Sequence, residues 1–422
     1  MEKLIVKNAT ILFSNSTFYK KQADVLIENG IIKKIEKPGK ITVKNINVIN
    51  ARDRFLAPGF FDLNCNFGEP GYETKEDLIT GAAAAAAGGF TELALQPNTN
   101  PPLHSRSEVA FIVNSTRDLI VNVYPVAAVS KNREGGELAE LYDMRLAGAV
   151  AFSDGNRSIQ HSGLMSRALL YSKGFGGLVF SYAEDKSIAG NTKMNEGEMS
   201  TYLGMKGNPN MAEEVMISRD LFLAEYNDTP IHFSTITCAG SVDLIRRAKK
   251  KGLRVTCDVA AHHLLFTDEE VSSFDSNYKV KPPLRTKKDR SELIKGVKDG
   301  TIDAIVSQHT PHEVEFKTVE FEIAEFGITG LQTLLPILLK VGLSLEMIVE
   351  KLAVNPRKIL NLPEPTLEVN ASANLILINP DELWIFDQHT NRSKATNNPL
   401  FNSKLKGKVD LLVNKGHTLN LS

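Results

Sequence analysis

The chain has 422 residues, 49 Lys+Arg against 50 Asp+Glu, 42% hydrophobic content and three cysteines. A net charge of −1 argues against a protein held mainly by nucleic-acid phosphates, and the apolar content supports a sizeable core rather than a disordered chain. The apolar stretches are far short of a membrane span, and Cys65, Cys238 and Cys257 are too few and too scattered for a disulfide scaffold or a structural zinc site.

In chain order, Met1-Glu2-Lys3-Leu4-Ile5-Val6-Lys7 lacks a signal-peptide core and reads as a strand. The expectation is a cytoplasmic globular protein with neither a membrane nor a nucleic-acid partner. Residues 25–35 are two apolar runs around Asn29-Gly30, the strongest short hairpin signal. The rhythm then changes. Apolar strands at 59–66, 90–95, 121–129, 148–152, 177–181, 230–234, 254–258 and 302–306 alternate with helical stretches such as 75–87, 241–251 and 287–298. Alternating β and α implies a parallel sheet covered by helices, and eight repeats close a (β/α)8 TIM-type barrel. A doubly wound open sheet fits the periodicity too, but no Gly-rich phosphate fingerprint follows the first strand. After residue 366 short strands return at 375–378, 383–386 and 409–413. The economical reading is an α/β chain in which residues 1–54 and 366–422 form a small β-domain beside a barrel spanning 55–365.

Barrels carry their functional groups at the C-terminal ends of the strands. Strand one ends in Asp62-Leu63-Asn64-Cys65-Asn66-Phe67-Gly68, strand two leads to Gln96-Pro97-Asn98-Thr99, and strand four gives Phe152-Ser153-Asp154-Gly155. Strand five gives Ser181-Tyr182-Ala183-Glu184-Asp185, strand six His232-Phe233-Ser234-Thr235, and strand eight Ser307-Gln308-His309-Thr310-Pro311-His312.

Several stretches then carry a resemblance: Ala57-Pro58-Gly59-Phe60-Phe61-Asp62-Leu63, Glu69-Pro70-Gly71-Tyr72-Glu73, Gln96-Pro97-Asn98-Thr99, Met194-Asn195-Glu196-Gly197-Glu198, Pro282-Pro283-Leu284-Arg285 and Phe326-Gly327-Ile328-Thr329-Gly330-Leu331. In this order and spread over nearly the whole chain, they resemble dihydroorotases of the long, class I-like type, within the amidohydrolase superfamily. The resemblance implies a metal-bearing barrel flanked by a β-domain built from both termini, and a place in pyrimidine biosynthesis.

It also implies a site that this chain does not keep. The family's His-x-His pair corresponds to Asn64 and Asn66, its strand-five and strand-six histidine ligands to Tyr182 and Thr235, and its strand-eight aspartate to Gln308. The arginine that grips the substrate carboxylate corresponds to Gly68, and an asparagine before the Pro-Pro-Leu-Arg stretch corresponds to Lys281. Zinc prefers imidazole, thiolate and carboxylate, and neutral carboxamides bind it poorly. Without the metal, water keeps a pKa of about 15.7 rather than about 7. Gln308 cannot act as a base where an aspartate can, and Gly68 removes the carboxylate clamp. The expectation is that the family zinc is lost and that no catalytic residue remains.

A residual ligand pocket is expected around Asn98, Asp154, Asn195, Lys281 and His309, with Lys281 facing Asp154. Cys65, between two inward positions on a strand, should point away from them. His232 should lie deeper in its strand, and His262, His263, His309 and His312 read as structural or pocket-lining histidines. The basic run Lys249-Lys250-Lys251 reads as a solvated helix end. In function, the resemblance leads to a non-catalytic homologue, oligomeric, that serves as an assembly partner of aspartate carbamoyltransferase. The alternatives are an active dihydroorotase or other cyclic-amide hydrolase with an unconventional metal arrangement, and a metal-free small-molecule sensor using the old cavity.

Overall fold

Asn29 and Gly30 both have positive φ, 50° and 73°. This is the geometry a two-residue hairpin loop needs, and Asn and Gly tolerate it best. The loop joins Gln22–Glu28 to Ile31–Glu36, which pair antiparallel, and Lys3–Ile11 pairs with the first of them. The computed structural model describes residues 3–43 and 46–421. Met1 and Glu2, at the head of the expected first strand, lie outside the described residues.

The C-terminal part of the chain completes this sheet. Leu375–Phe386 pairs with Ser403–Asn414 on one side and with Phe55–Pro58 on the other, and Phe55–Pro58 lies beside Lys3–Ile11. The strands expected separately at 375–378 and 383–386 are one strand, Leu375–Phe386, with an irregular register between Asn379 and Leu383. Pro380 sits in that irregularity. A proline cannot donate to the ladder, and a bulge is where a strand accommodates one. The other member of this pair starts at Ser403, six residues before the expected 409.

All eight barrel strands form within a residue or a few of their expected positions. They are Phe60–Cys65, Phe90–Leu95, Asn122–Ala127, Ala151–Phe152, Val179–Tyr182, Ile231–Ser234, Val255–Ala260 and Ala304–Val306. They lie in sequence order in one parallel sheet. The ends approach through a parallel bridge between Cys65 and His309, where Asn66 N–H donates to the His309 carbonyl at 2.8 Å. The fold is therefore a (β/α)8 barrel with a separate β-sheet built from both termini.

Local chemistry sets the helix boundaries. The alanine-rich helix runs Leu78–Ala87 rather than from residue 75, because Asp77 caps it and accepts from Thr80 N–H at 2.7 Å. Gly81 and the alanines let this helix lie close to the barrel; a Cβ on Gly81 would meet the Phe67 ring at 2.4 Å. Lys287–Lys298 forms as expected, with Thr286 and Asp289 making a capping box. The helix expected at 241–251 spans Ala239–Lys250, and Lys249 is not free in solvent: its ammonium pairs with Asp303 at 2.6 Å.

The apolar core lies between strands and helices, with Phe60, Phe90, Phe152 and Phe233 fully buried. Arg357 is also fully buried, paired with Glu92 at 2.9 Å and donating to the Ala353 carbonyl at 2.6 Å. This charge ties the helix after the last barrel strand to strand two.

Candidate functional site

The C-terminal ends of the strands surround a cavity of about 730 Å³. Asn64, Asn66, Gly68, Tyr182, Lys281 and Gln308 line it, with Asn98 above them. Seven positions singled out in the sequence are thus brought together. Thr235 stands just behind, touching Asn64.

Their amide and hydroxyl groups bond to one another. Asn64 Nδ2 donates to Ser234 Oγ at 3.3 Å and to Thr235 Oγ1 at 3.1 Å. Asn66 Nδ2 donates to the His309 carbonyl and to Thr310 Oγ1, at 3.1 and 3.0 Å, and its Oδ1 accepts from Asn98 Nδ2. Gln308 Nε2 donates to the Lys281 carbonyl at 2.9 Å. Thr235 and Gln308 both hold positive φ, 54° and 49°, a costly backbone state for non-glycine residues that clusters at functional sites.

Lys281 does not face Asp154. Its ammonium pairs with Glu184 at 2.8 Å, and Glu184 also accepts from Asn208 Nδ2 at 3.3 Å. Asp154 turns its carboxylate away, accepting from the Ser130 N–H at 2.9 Å and from the Ser130 hydroxyl. Burial holds its pKa above the usual carboxylate range. The residue of that turn that lines the cavity is Gly155, which has no side chain to offer.

Asn195 and His309 lie behind the wall. Asn195 donates to Asp268 at 2.8 Å and accepts from Arg285 at 3.0 Å, a buried network supporting the strand-five side. His309 is buried, 3.5 Å from the Glu76 carboxylate and edge-on to Phe67.

Cys65 turns outward from its neighbours into the packing against the helices, where burial raises its thiol pKa. His232 sits deeper, bonded to Asp258 at 2.9 Å and to Thr256 at 2.8 Å. The His262 and His263 rings lie tilted against each other with centroids 4.4 Å apart, and His263 Nε2 bonds to the Pro282 carbonyl at 3.1 Å. Burial lowers His263 to about 4, so it is neutral near pH 7. His312, on the cavity wall, is likewise lowered to about 4, by burial and then by Lys75.

Gly68 has no room for any side chain. A Cβ there would sit 1.8 Å from the Tyr72 carbonyl oxygen. Where the resemblance expects an arginine, the loop has closed on itself through Tyr72 N–H to Gly68 O and Gly68 N–H to Glu76 O, at 2.9 and 2.8 Å.

This donor set does not fit a catalytic zinc. Three carboxamides, a phenol and a hydroxyl stand at the five expected ligand positions; Asn64 bonds to Thr235, and Asn66 and Gln308 donate to the His309 and Lys281 carbonyls. Among the described residues, no group of three or more His, Cys, Asp or Glu is placed to hold a metal ion.

Sequence reasoning missed Arg133, Arg157 and Lys75, which also line the cavity. Arg157 follows a recognised turn, but Arg133 belongs to a loop with no motif, so only the folded contacts could reveal it. Glu184 was visible at the strand-five end but had no partner until the fold supplied Lys281.

A family model described as Dihydro-orotase-like matches residues 53–241. The chain is 43% identical to a dihydroorotase of Acetivibrio thermocellus, covering 92% of each chain, and 42% identical to one of Syntrophus aciditrophicus, covering 94% of each. In structure it is similar to an L-hydantoinase (dihydropyrimidinase) from Arthrobacter aurescens, with a TM-score of 0.86 at 23% identity over 100% of this chain and 96% of that one. A D-hydantoinase superposes with a TM-score of 0.83 at 21% identity, covering 99% of this chain and 95% of that one. At these identities the two structures speak for the fold alone.

Proposed function

The chain belongs to the dihydroorotase-like family, and from that premise we propose that it is a member of pyrimidine biosynthesis that has given up metal-dependent ring hydrolysis. In this reading it serves as a structural partner of aspartate carbamoyltransferase. The observation that carries the loss of chemistry is the hydrogen-bonded set of Asn64, Asn66 and Thr235 at the barrel mouth, with Gln308 tied to the Lys281 backbone.

Opening a cyclic amide near neutral pH needs an activated water, a proton acceptor and an anchor for the substrate. Activation by a bound metal lowers the pKa of water from about 15.7 to about 7, and the residues here are unsuited to hold that metal. The proton acceptor position is the neutral carboxamide of Gln308, which has no accessible basic form. The anchor position, Gly68, is sterically closed. The three losses touch separate steps, so repairing one would leave the reaction blocked. Meanwhile the barrel is fully built, with a continuous core, and that is what an assembly role requires.

Two measurements test this. Purified protein supplied with Zn²⁺, Mn²⁺ or Co²⁺ should not interconvert dihydroorotate and carbamoyl aspartate. A native pull-down should recover aspartate carbamoyltransferase with the chain. Metal-dependent turnover would overturn the loss of catalysis, and failure to recover the carbamoyltransferase would overturn the scaffold role.

A further inference from the structure

Three cations on the cavity wall, Lys75, Arg133 and Arg157, make no ion pair among the described residues. Lys75 lies over the Tyr72 and Phe316 rings, at 5.2 and 5.8 Å. Arg133 is only 8% exposed, yet its bonds go to neutral groups: Nε to the Asp154 carbonyl at 3.0 Å and Nη2 to Asn156 Oδ1 at 2.6 Å. Arg157 donates to the Arg133 carbonyl at 3.3 Å, so the two guanidinium groups belong to one lip. Burial, and then repulsion from Arg157, lowers Arg133 to about 10. Tyr72 neighbours both Lys75 and Arg133 and places all three cations on the same side.

The Asp154 carboxylate offsets part of the Arg133 charge from a distance but forms no ion pair with it. Holding a guanidinium this deep without a direct carboxylate partner is costly, and a ligand anion would relieve that cost. The backbone adds to it. Asn132 and Arg133 are consecutive residues with positive φ, 54° and 58°, and this turn is what delivers Arg133 to the wall. Among the described residues Glu325 is the one carboxylate lining the cavity; Glu184, behind the wall, is taken by Lys281, and Glu313 acts on Lys75 from outside the lining without an ion pair.

The floor is a different surface. It is made of neutral donors and acceptors, and one of them is under-satisfied: Tyr182 is 6% exposed and its hydroxyl makes no well-formed hydrogen bond among the described residues, with the Glu184 carboxylate as its polar neighbour. A buried phenol of this kind normally finds a partner. Gln308, Asn64 and Asn98 face the same space. Pockets of roughly 300–1,000 Å³ enclose drug-sized ligands, and a cavity of about 730 Å³ exceeds what a small dicarboxylate fills.

We propose that the cavity is a metal-free receptor for a phosphate monoester of nucleoside-monophosphate size, with Arg133, Arg157 and Lys75 gripping the phosphate and Tyr182 and Gln308 reading the polar ring. A phosphate dianion suits this lip better than a single carboxylate, because its three terminal oxygens can meet three cations at once. With the position at Gly68 closed, the anion anchor is shared between Lys75 of the first barrel loop and Arg133 and Arg157 of the loops that follow strands three and four. The inference rests on the reading that the mouth holds no metal.

The test is calorimetric titration and thermal shift on the purified full chain after EDTA dialysis. The probes are uridine, cytidine and adenosine 5′-monophosphates, ribose 5-phosphate, inorganic phosphate, uridine and carbamoyl aspartate. A nucleoside monophosphate should bind saturably and more tightly than inorganic phosphate or uridine, and added NaCl should weaken it. Ribose 5-phosphate binding as tightly as the best nucleotide would show that the ring is not read and would overturn the proposal. Arg157→Gln changes an exposed side chain and should leave folding intact while weakening nucleotide binding about tenfold, the usual scale for one charge-assisted contact. Tyr182→Phe should weaken the nucleotide but not inorganic phosphate. No saturable binding of any phosphate monoester, equal binding by Arg157→Gln, or a preference for carbamoyl aspartate would overturn it. Zinc analysis of the same preparation, purified without chelator and sampled before the EDTA dialysis, separates the two readings. A metal-free protein that ignores phosphate esters removes this inference alone, and a zinc-loaded one removes the reading beneath it.

Discussion

Replacing Lys281 by asparagine restores the residue that the family resemblance expects, and it should nevertheless destabilise this protein. The Lys281 ammonium lies 2.8 Å from Glu184, with the Lys side chain 35% exposed and the Glu side chain 9% exposed. After Lys281→Asn, the Glu184 carboxylate keeps a neutral donor, Asn208 Nδ2 at 3.3 Å, and the neighbouring Tyr182 hydroxyl, but no cation in an ion pair among the described residues. Breaking a fully buried pair costs about 3–5 kcal/mol, and exposed pairs are worth about 0.2–1 kcal/mol. With one end buried and the other partly wet, screening at the Lys end places the expected loss at about 1.5–2.5 kcal/mol. Glu184→Gln leaves a cation that can reach water and should cost under about 1 kcal/mol. The double variant should recover most of the Lys281→Asn loss, giving a coupling of at least about 1 kcal/mol. Urea unfolding followed by circular dichroism measures all four proteins. If Lys281→Asn is as stable as the parent, or the coupling is near zero, Lys281 is not holding Glu184 and the account of the mouth is wrong.

Arg357→Met should strand the Glu92 carboxylate near the start of strand two and lower stability by about 3–5 kcal/mol, read as reduced soluble yield and urea midpoint; an unchanged midpoint contradicts the buried pair. Gly68→Ala should cost at least about 1–3 kcal/mol because its Cβ falls 1.8 Å from the Tyr72 carbonyl oxygen, and Gly68→Arg should not rescue substrate binding. Asn64→His combined with Asn66→His should still retain no stoichiometric zinc after gel filtration, since the other three expected ligand positions stay without imidazole or carboxylate. His312 has a folded pKa lowered to about 4, from a usual 6.5, so the unfolded chain binds more protons between these values and stability falls as pH drops from about 6.5 to about 4. Asp62, raised to about 7 chiefly by burial, acts in the opposite sense over about 3.8–7, so the informative quantity is the difference between parent and His312→Asn, whose acid slope should be shallower. Identical slopes would contradict a buried neutral His312.

Much of the fold was legible because it is written in local patterns. Apolar runs of five to nine residues between helical stretches marked each of the eight strands, and Asn29-Gly30 announced a turn in its own chemistry. The joining of 375–378 with 383–386 was not legible, because Pro380 reads locally as a break while its neighbours continue to pair with residues beyond 402. In the site, the residue types at the strand ends sufficed to gather Asn64, Asn66, Tyr182 and Gln308 around one cavity. Which way a side chain turns was not readable. Asp154 looked like a carboxylate for the pocket, yet the Ser130 N–H and hydroxyl draw it away. Lys281 found Glu184, nearly a hundred residues earlier, instead of Asp154. Arg133 carried no signal, because its place depends on a strained loop and on Asp154 and Asn156 from another strand end.

The central claim is that amide, phenol and hydroxyl groups have replaced the groups that held a metal in the mouth of this barrel. Elemental analysis of the full chain, purified without chelator from cells grown with added zinc, tests it most directly. The account expects far less than one zinc, manganese or cobalt ion per chain. One or more ions per chain, together with metal-dependent opening of dihydroorotate, would contradict it.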